Sequence, residues 1–163
     1  MNPHAREPGD LVLIAYDGSE NADHAIEVAA ALFGGGRAEI VHAWEPVSSA
    51  AARSAVYAIG YDDSPELLEE ETGRAEAVAA RGIERARAAG FDAAGGALSG
   101  SGPVWATIVR RADELRPGVV IMGTRGLTGL RSALAGSVSH AVSSHSAFPV
   151  LTVPLPESSR PED

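Results

Sequence analysis

Short apolar runs alternate along this chain with longer segments of helical periodicity, and this alternation constrains the fold more than any other feature. The first run, Leu11–Ala15, is apolar at every position, as expected for a strand buried on both faces. Apolar residues at helical spacing follow, with Ser19 or Asn21 available as N-cap and the glycines at 34–36 as the stop. The two segments predict one strand and one helix.

The same alternation continues to residue 153. It predicts further strands at 38–43, 91–97, 119–122 and 149–153, and further helices at 65–89, 104–115 and 137–146. Five strands separated by four helices form βαβ units, whose right-handed crossovers give a parallel sheet with helices on both faces. The predicted fold is therefore a doubly wound, Rossmann-like α/β domain. Its ligand crevice is expected beyond the carboxyl ends of the strands, in the loops that follow Ala15, Ala43 and Met122.

A chain of 163 residues has the usual size of one domain, which we predict at 11–154. The flanking segments, 1–10 and 155–163, are rich in proline and charge, and we expect them to be disordered tails. The connection at 44–64 has no clear periodicity and exceeds the usual loop length of ~4 to 6 residues. It is either a lid over the crevice or an insertion without a role.

The charge balance argues against nucleic acid and anionic membranes as partners. The formal net charge is -9, from 22 acidic and 13 basic residues. Every basic residue is an arginine and the chain has no cysteine, so Schiff-base chemistry, a Walker lysine, disulfides and thiolate sites are excluded. The polar start resembles no signal peptide, and no apolar run approaches the ~18 residues of a membrane helix. These features predict a cytoplasmic protein.

One glycine-rich loop after the fourth predicted strand carries the chemistry. Gly123 and Gly126 allow the backbone to approach a ligand, while Gly136 and Ser137 open a helix whose N–H groups and positive dipole end favour an anion. Arg125 and Arg131 could add charge-assisted contacts to phosphate oxygens. The loop is therefore a candidate phosphate site. The alternative, that the glycines only form turns and both arginines are solvated, stays open on spacing alone.

The spacing of this loop resembles the Gly-x2-Gly-x9-Gly-Ser/Thr signature of nucleotide-binding universal stress proteins. Gly123, Gly126, Gly136 and Ser137 occupy its positions without gaps. Residues 11–19 are similar to the first strand and aspartate turn of that family, and residues 149–153 to its closing strand. The resemblance spans residues 11–153 and implies the adenine nucleotide alpha hydrolase-like version of the fold.

The resemblance also implies a site for ATP with Mg²⁺, and a homodimer built through the last strand. The implied nucleotide-binding residues are Asp17, Ala43, Met122, Gly123, Arg125, Gly126, Gly136, Ser137 and Val138. Asp17 would contact the ribose or a phosphate-bound metal ion, the backbone of Ala43 would meet the adenine, and the glycine-rich loop would hold the phosphates. Without the resemblance, Asp17 could equally cap the first helix. His42 is interpreted as a packed strand residue, and the spacing of His140 and His145 disfavours a zinc site.

No catalytic motif accompanies this site. The chain shows no paired catalytic carboxylates, nucleophile elbow or zinc-protease helix, so we predict a regulatory binding module that hydrolyses ATP, or phosphorylates itself, at most very slowly. One alternative is a dimeric regulatory protein that does not bind ATP, or that binds another adenine nucleotide such as cAMP. A further alternative is an adenylating enzyme, which would normally carry a Ser-Gly-Gly loop where residues 16–19 read Tyr-Asp-Gly-Ser.

Overall fold

A computed structural model describes residues 10–48, 64–124 and 137–155. Strands and helices alternate through them as β1 Leu11–Ala15, α1 Glu20–Phe33, β2 Arg37–Trp44, α2 Pro65–Ala88, β3 Asp92–Ser99, α3 Val104–Leu115, β4 Val119–Gly123, α4 Ser137–His145 and β5 Val150–Val153. The predicted alternation is confirmed, with element ends that differ by one or two residues. Residues 49–63 of the long connection, 125–136 of the glycine-rich loop and nearly all of both predicted tails lie outside the described residues.

The five strands form one sheet in the order β3-β2-β1-β4-β5, and every pairing between neighbours is parallel. At the centre of the sheet, Ile14 of β1 pairs with Ile40 of β2 on one side and with Ile121 of β4 on the other. The strand order reverses between β1 and β4, which makes the carboxyl ends of these two strands the topological switch point. The predicted fold class, a parallel α/β sheet of the Rossmann-like kind, is confirmed.

Helices cover both faces of the sheet and create two apolar cores. Leu13 and Ile14 are both fully buried and point to opposite faces, because side chains alternate along a strand. One core joins Ile14 to α1 and α2, with Ile26 and Ala86 among its members. The other joins Leu13 to α3 and α4, through Ile108, Ala112 and Val142. Burial on both faces explains why β1 is apolar at every position.

Local capping defines α1 as the sequence suggests. The Ser19 hydroxyl accepts a hydrogen bond from the Ala22 N–H at 3.1 Å, and Gly34 ends the helix in the left-handed conformation at a φ of 63°. Ser19 is therefore the N-cap. Asn21, the other candidate, lies inside the helix and is buried, and its side-chain amide donates to the carbonyl oxygen of Val153 at 3.0 Å.

The third strand is the one whose sequence is least typical of a strand. Residues 92–99 include two adjacent glycines and little aliphatic bulk, and the sequence predicts an end at residue 97. In the structure β3 continues to Ser99, because it pairs along its whole length with β2, which itself extends to Trp44. Pairing with a neighbour, rather than local propensity, sets this boundary.

Candidate functional site

A cavity of about 170 Å³ lies at the switch point, beyond the carboxyl ends of the central strands. Its lining consists of Ala15, Tyr16, Asp17, Ala22, Val41, Ala43, Val104, Ile108, Met122, Gly123 and Val138. The lining therefore combines the turn after β1, the ends of β2 and β4, and the first turns of α1, α3 and α4. The position agrees with the general rule for ligand crevices in doubly wound sheets.

The structure brings together all five predicted nucleotide-site residues whose side chains it describes. The residues that line the cavity are Asp17, Ala43, Met122, Gly123 and Val138. Val138 belongs to the first turn of α4, so the positive end of that helix lies beside the cavity. Arg125, Gly126 and Gly136 lie outside the described residues, as does the side chain of Ser137. Their part of the prediction stays a prediction.

The inner wall of the cavity is aliphatic. Val41 and Met122 come from the ends of β2 and β4, and Val104 and Ile108 come from one face of α3. The helical spacing of Val104 and Ile108 predicts that both pack against the sheet. Both do so in the structure, where they belong to the core around Leu13. Sequence periodicity could not show that this packed face ends at a cavity. An aliphatic wall of this kind suits the flat, apolar faces of a ligand ring.

The turn after β1 presents Asp17 at the cavity. The Asp17 Oδ1 atom accepts a hydrogen bond from the Ser19 N–H at 3.0 Å, and Gly18 between them has a φ of 82°. This is the geometry of an Asx turn, in which a side-chain oxygen orders the backbone two residues later. Ser19, not Asp17, caps α1. The carboxylate is thus held at the cavity by its own turn.

A polar network behind this turn links it to α2. The buried Tyr16 hydroxyl donates to Asp23 Oδ1 at 2.6 Å and accepts from Arg81 Nε at 3.1 Å. Arg81 Nη2 also donates to the Gly18 carbonyl oxygen at 2.6 Å, and Arg85 pairs with Asp23 at 2.9 Å. Sequence reasoning missed this network, because Tyr16 and Arg81 are 65 residues apart and no local pattern relates them.

The network shifts the ionisation of both central groups. Burial raises the pKa of the Tyr16 phenol, and the hydrogen bond to Asp23 raises it further, against the opposing effect of Arg81. The hydrogen bond to Tyr16 raises the pKa of Arg81 above its ordinary value. At neutral pH the pair is therefore a neutral phenol beside a charged guanidinium, which can donate to the backbone of the Asp17 turn.

Gly123, at the end of β4, has a packing role that the sequence did not suggest. A Cβ atom at this position would lie 2.7 Å from Cγ of Asn21, so only glycine allows this approach. The Val153 carbonyl accepts from the Asn21 amide at 3.0 Å and from the Thr124 N–H at 2.9 Å. The start of the glycine-rich loop is thus fixed to α1 and β5. Gly123 also lines the cavity. The same glycine is therefore needed for packing against Asn21 and belongs to the candidate site.

The histidines show no metal site in the described part of the chain. His42 is half-buried on β2 and its Nδ1 atom donates to the Tyr16 carbonyl oxygen at 2.9 Å, as a packed strand residue would. His140 is exposed, and His145 stacks on Trp105 with ring centroids 4.5 Å apart. Among the residues described, no group of three or more His, Cys, Asp or Glu side chains could hold a metal ion.

The fold and the cavity define a doubly wound α/β protein with a cavity at its switch point. The model of the universal stress protein family matches residues 10–154. A universal stress protein from Thermus aquaticus is 34% identical over 144 residues, which cover 87% of this chain and 96% of the relative. The chain belongs to the universal stress protein family, as its glycine-rich loop and first strand suggest.

Two solved structures extend the comparison. A universal stress protein in complex with cAMP is 25% identical, with a TM-score of 0.56 over 90% of this chain and 98% of the other. The universal stress protein from Archaeoglobus fulgidus in complex with dAMP is 20% identical, with a TM-score of 0.58 over 89% of this chain and 97% of the other. Both structures share the overall fold of this chain.

The helices in the described ranges are too short or too polar to cross a membrane.

Proposed function

We propose that this chain binds an adenine nucleotide, ATP together with Mg²⁺, in the cavity at the switch point, and that it acts as a regulatory module rather than as an enzyme. The observation that supports the proposal most is the convergence of Asp17, Ala43, Met122, Gly123 and Val138 on one cavity. Those five residues come from four separate stretches of the chain. The resemblance to the family implies a nucleotide site that includes the same five residues.

The residues that line the cavity suggest where each part of a nucleotide would lie. The adenine would lie against the aliphatic wall of Val41, Ile108 and Met122. The ribose would face Asp17. The phosphates would extend toward the glycine-rich loop at 125–136 and the N-terminal turn of α4, where backbone N–H groups and the helix dipole favour negative charge.

The side chains that line the cavity could hold Mg²⁺ only together with the phosphates of a nucleotide. No cluster of three or more metal-binding side chains occurs in the described residues, and Asp17 is the carboxylate among those that line the cavity. Mg²⁺ typically uses one or two carboxylates, waters and phosphate oxygens of its substrate. We expect Asp17 to hold the ion jointly with the phosphates. The bound ion would neutralise phosphate charge.

The cavity offers little for catalysis. Its ionisable side chains, among the described residues, are Asp17 and Tyr16, and the Tyr16 hydroxyl is engaged by Asp23 and Arg81. A general base that activates water must lie within hydrogen-bond reach of it and be available to accept a proton. We therefore propose that any ATP hydrolysis or autophosphorylation is slow.

The test is mass spectrometry of nucleotide released from freshly purified protein, together with calorimetric titration of ATP. Wild type should bind ATP, and a Gly126→Asp/Gly136→Asp variant should bind at least about tenfold more weakly, because its carboxylates would repel the phosphates. Gly73→Asp is the matched control, since it adds a carboxylate in open space on α2. Folded wild-type protein without measurable affinity for any adenine nucleotide would overturn the proposal.

The complex of a relative with cAMP makes a cyclic nucleotide the second candidate. Competition separates the two ligands: ATP should displace labelled cAMP at lower concentration than cAMP displaces labelled ATP. The Asp17→Asn variant adds an independent criterion. It should weaken binding of ATP in the presence of Mg²⁺ more than in the presence of a chelator, whereas a cAMP site would show no such dependence on the metal ion.

We also propose that the chain forms a homodimer through β5. This strand is an edge of the sheet in the described residues, paired with β4 alone. An unpaired strand edge can extend the sheet across a two-fold axis.

A further inference from the structure

The peptide bond between Gly18 and Ser19 is held at both of its polar ends. Its carbonyl oxygen, on Gly18, accepts a hydrogen bond from Arg81 Nη2 at 2.6 Å. Its N–H, on Ser19, donates to Asp17 Oδ1 at 3.0 Å. The carbonyl and the N–H of a trans peptide point in opposite directions, so an orientation fixed at one end is fixed at the other. The bond from Arg81 therefore sets the direction of the donor that holds Asp17.

Arg81 is itself held in one orientation. Its Nε atom donates to the Tyr16 hydroxyl at 3.1 Å, and that hydroxyl donates to Asp23 at 2.6 Å. The guanidinium carbon also lies 5.9 Å from the centroid of the Tyr16 ring. Because the guanidinium is a rigid planar fork, a bond at Nε fixes the direction of Nη2 as well. The side chain is exposed, yet two of its nitrogen atoms have defined partners.

The contact between α2 and the Asp17 turn depends on Gly18. A Cβ atom at this position would collide with Arg81 Nη2 and would lie 3.3 Å from Cγ1 of Val78. The absence of a side chain lets α2 approach the backbone of the turn directly. None of the described residues that line the switch-point cavity belongs to α2, so this helix reaches the candidate site only through the turn.

The charge of Arg81 strengthens the arrangement. A cation at the carbonyl polarises the peptide and makes its N–H a better donor to the Asp17 carboxylate. The hydrogen bond to Tyr16 is the largest cause that raises the pKa of Arg81, and the charge of Asp17 adds to it, so the guanidinium is charged at neutral pH. Without Arg81 the peptide could rotate, because glycine tolerates many backbone angles. A ligand would then have to order Asp17 at its own cost.

We propose that Arg81 is a positioning residue for nucleotide binding, which holds the Asp17 carboxylate, through the peptide between Gly18 and Ser19, in the orientation that receives a nucleotide-bound Mg²⁺. The inference rests on the proposed function, because it assigns to Asp17 the role given there. Arg81 acts through the turn and does not itself contact the ligand. It makes α2 a part of the nucleotide site from outside the cavity.

The first measurement needs no nucleotide. Arg81→Met keeps the length and helix propensity of the side chain and removes its donors. In NMR hydrogen exchange, the Ser19 amide of this variant should exchange about fivefold faster than in wild type, the effect of weakening one hydrogen bond. Arg85→Met is the matched control. Arg85 lies one turn later on α2 and pairs with Asp23 at 2.9 Å, so the control removes an equal charge and leaves the bond to Gly18.

The second measurement is calorimetric titration of ATP, with Mg²⁺ and with a chelator. Arg81→Met should weaken binding about three- to tenfold with Mg²⁺ and less than about twofold with the chelator. Arg85→Met should bind as wild type does in both. Combined with Asp17→Asn, Arg81→Met should cause no further loss, because two residues that act as one unit are not additive.

The outcomes separate this inference from the proposed function. Equal loss with Mg²⁺ and with the chelator, an additive effect in the double variant, or unchanged exchange of the Ser19 amide would each overturn the role of Arg81. Wild-type protein that binds no adenine nucleotide, while its Ser19 amide still responds to Arg81→Met, would overturn the proposed function and support the link between Arg81 and the Asp17 turn.

Discussion

Tyr16 illustrates how one residue serves two environments. It lines the switch-point cavity, while its hydroxyl, inside the protein, joins Asp23 of α1 to Arg81 of α2. The side chain is 2% exposed, so the two hydrogen bonds replace the water that the phenol would otherwise bind. Arg81 then reaches the Gly18 carbonyl. A change at Tyr16 should therefore alter both stability and the Asp17 turn.

The pKa of Tyr16 predicts a loss of stability at alkaline pH. Burial and the bond to Asp23 raise this pKa above the ordinary 10.0, so the folded protein retains the phenolic proton to higher pH than the unfolded chain does. The contribution to stability is complete below pH 10.0 and is lost as the pH rises through the raised value. Urea unfolding of wild type across this range should show the loss, and Tyr16→Phe should lack it.

Tyr16→Phe should also lower the free energy of unfolding by about 1 to 2 kcal/mol at neutral pH, because Asp23 and Arg81 lose a buried partner. The chain has three tyrosines, so a Tyr57→Phe/Tyr61→Phe variant leaves Tyr16 as the sole phenol for ultraviolet titration. Titration of that variant at or below the ordinary pKa would contradict the explanation.

Among the elements, α2 is the helix whose packing can be tested most directly. It contains two glycines in different surroundings. Gly82 is buried, and a Cβ atom there would lie 2.6 Å from Cδ1 of Tyr16 and 2.9 Å from Cγ2 of Ile40. Gly73 has open space where its Cβ atom would be. Glycine is thus required at one position for close approach of helix and sheet, and is merely tolerated at the other.

The two glycines predict opposite effects of the same substitution. Gly82→Ala should destabilise the protein by about 1 to 3 kcal/mol, because overpacking outweighs the gain in helix propensity. Gly73→Ala should stabilise it by up to about 1 kcal/mol, since propensity acts there alone. Thermal and urea unfolding measure both changes. Equal shifts of the two variants in the same direction would show that α2 is not packed on β1 and β2 as described.

On the scale of the whole molecule, the proposed dimer depends on the edge that β5 forms in the described part of the sheet. The bonds from the Val120 N–H to the Pro149 carbonyl and from the Thr124 N–H to the Val153 carbonyl show which residues face β4. Because backbone groups alternate along a parallel strand, those of residues 150 and 152 point away from β4. Thr152 is also exposed through its side chain.

Thr152→Lys should therefore shift the proposed dimer toward monomer. Two lysines near the two-fold axis would repel each other, and charge on an edge strand opposes pairing of that edge. Light scattering at several concentrations measures the shift. Thr72→Lys, on the exposed part of α2, is the control and should leave the assembly unchanged. Monomeric wild-type protein at every concentration would contradict a β5 dimer.

The sequence by itself determined the features that depend on neighbours along the chain. The apolar run Leu11–Ala15, the Ser19 cap and the Gly34 stop each arise from contacts within a few residues, so periodicity and turn chemistry predict them. Strand alternation then predicts the parallel sheet and the edge at which Asp17, Ala43 and Met122 meet. Fold class and cavity position could be predicted for this reason.

Tertiary structure alone decided the contacts between residues distant in sequence. The approach of Gly123 to Asn21, the bond between Tyr16 and Arg81, and the extension of β3 beside β2 depend on how helices are placed over the sheet. Local patterns carry no information on such pairs, because their energy is gained only once the chain has folded.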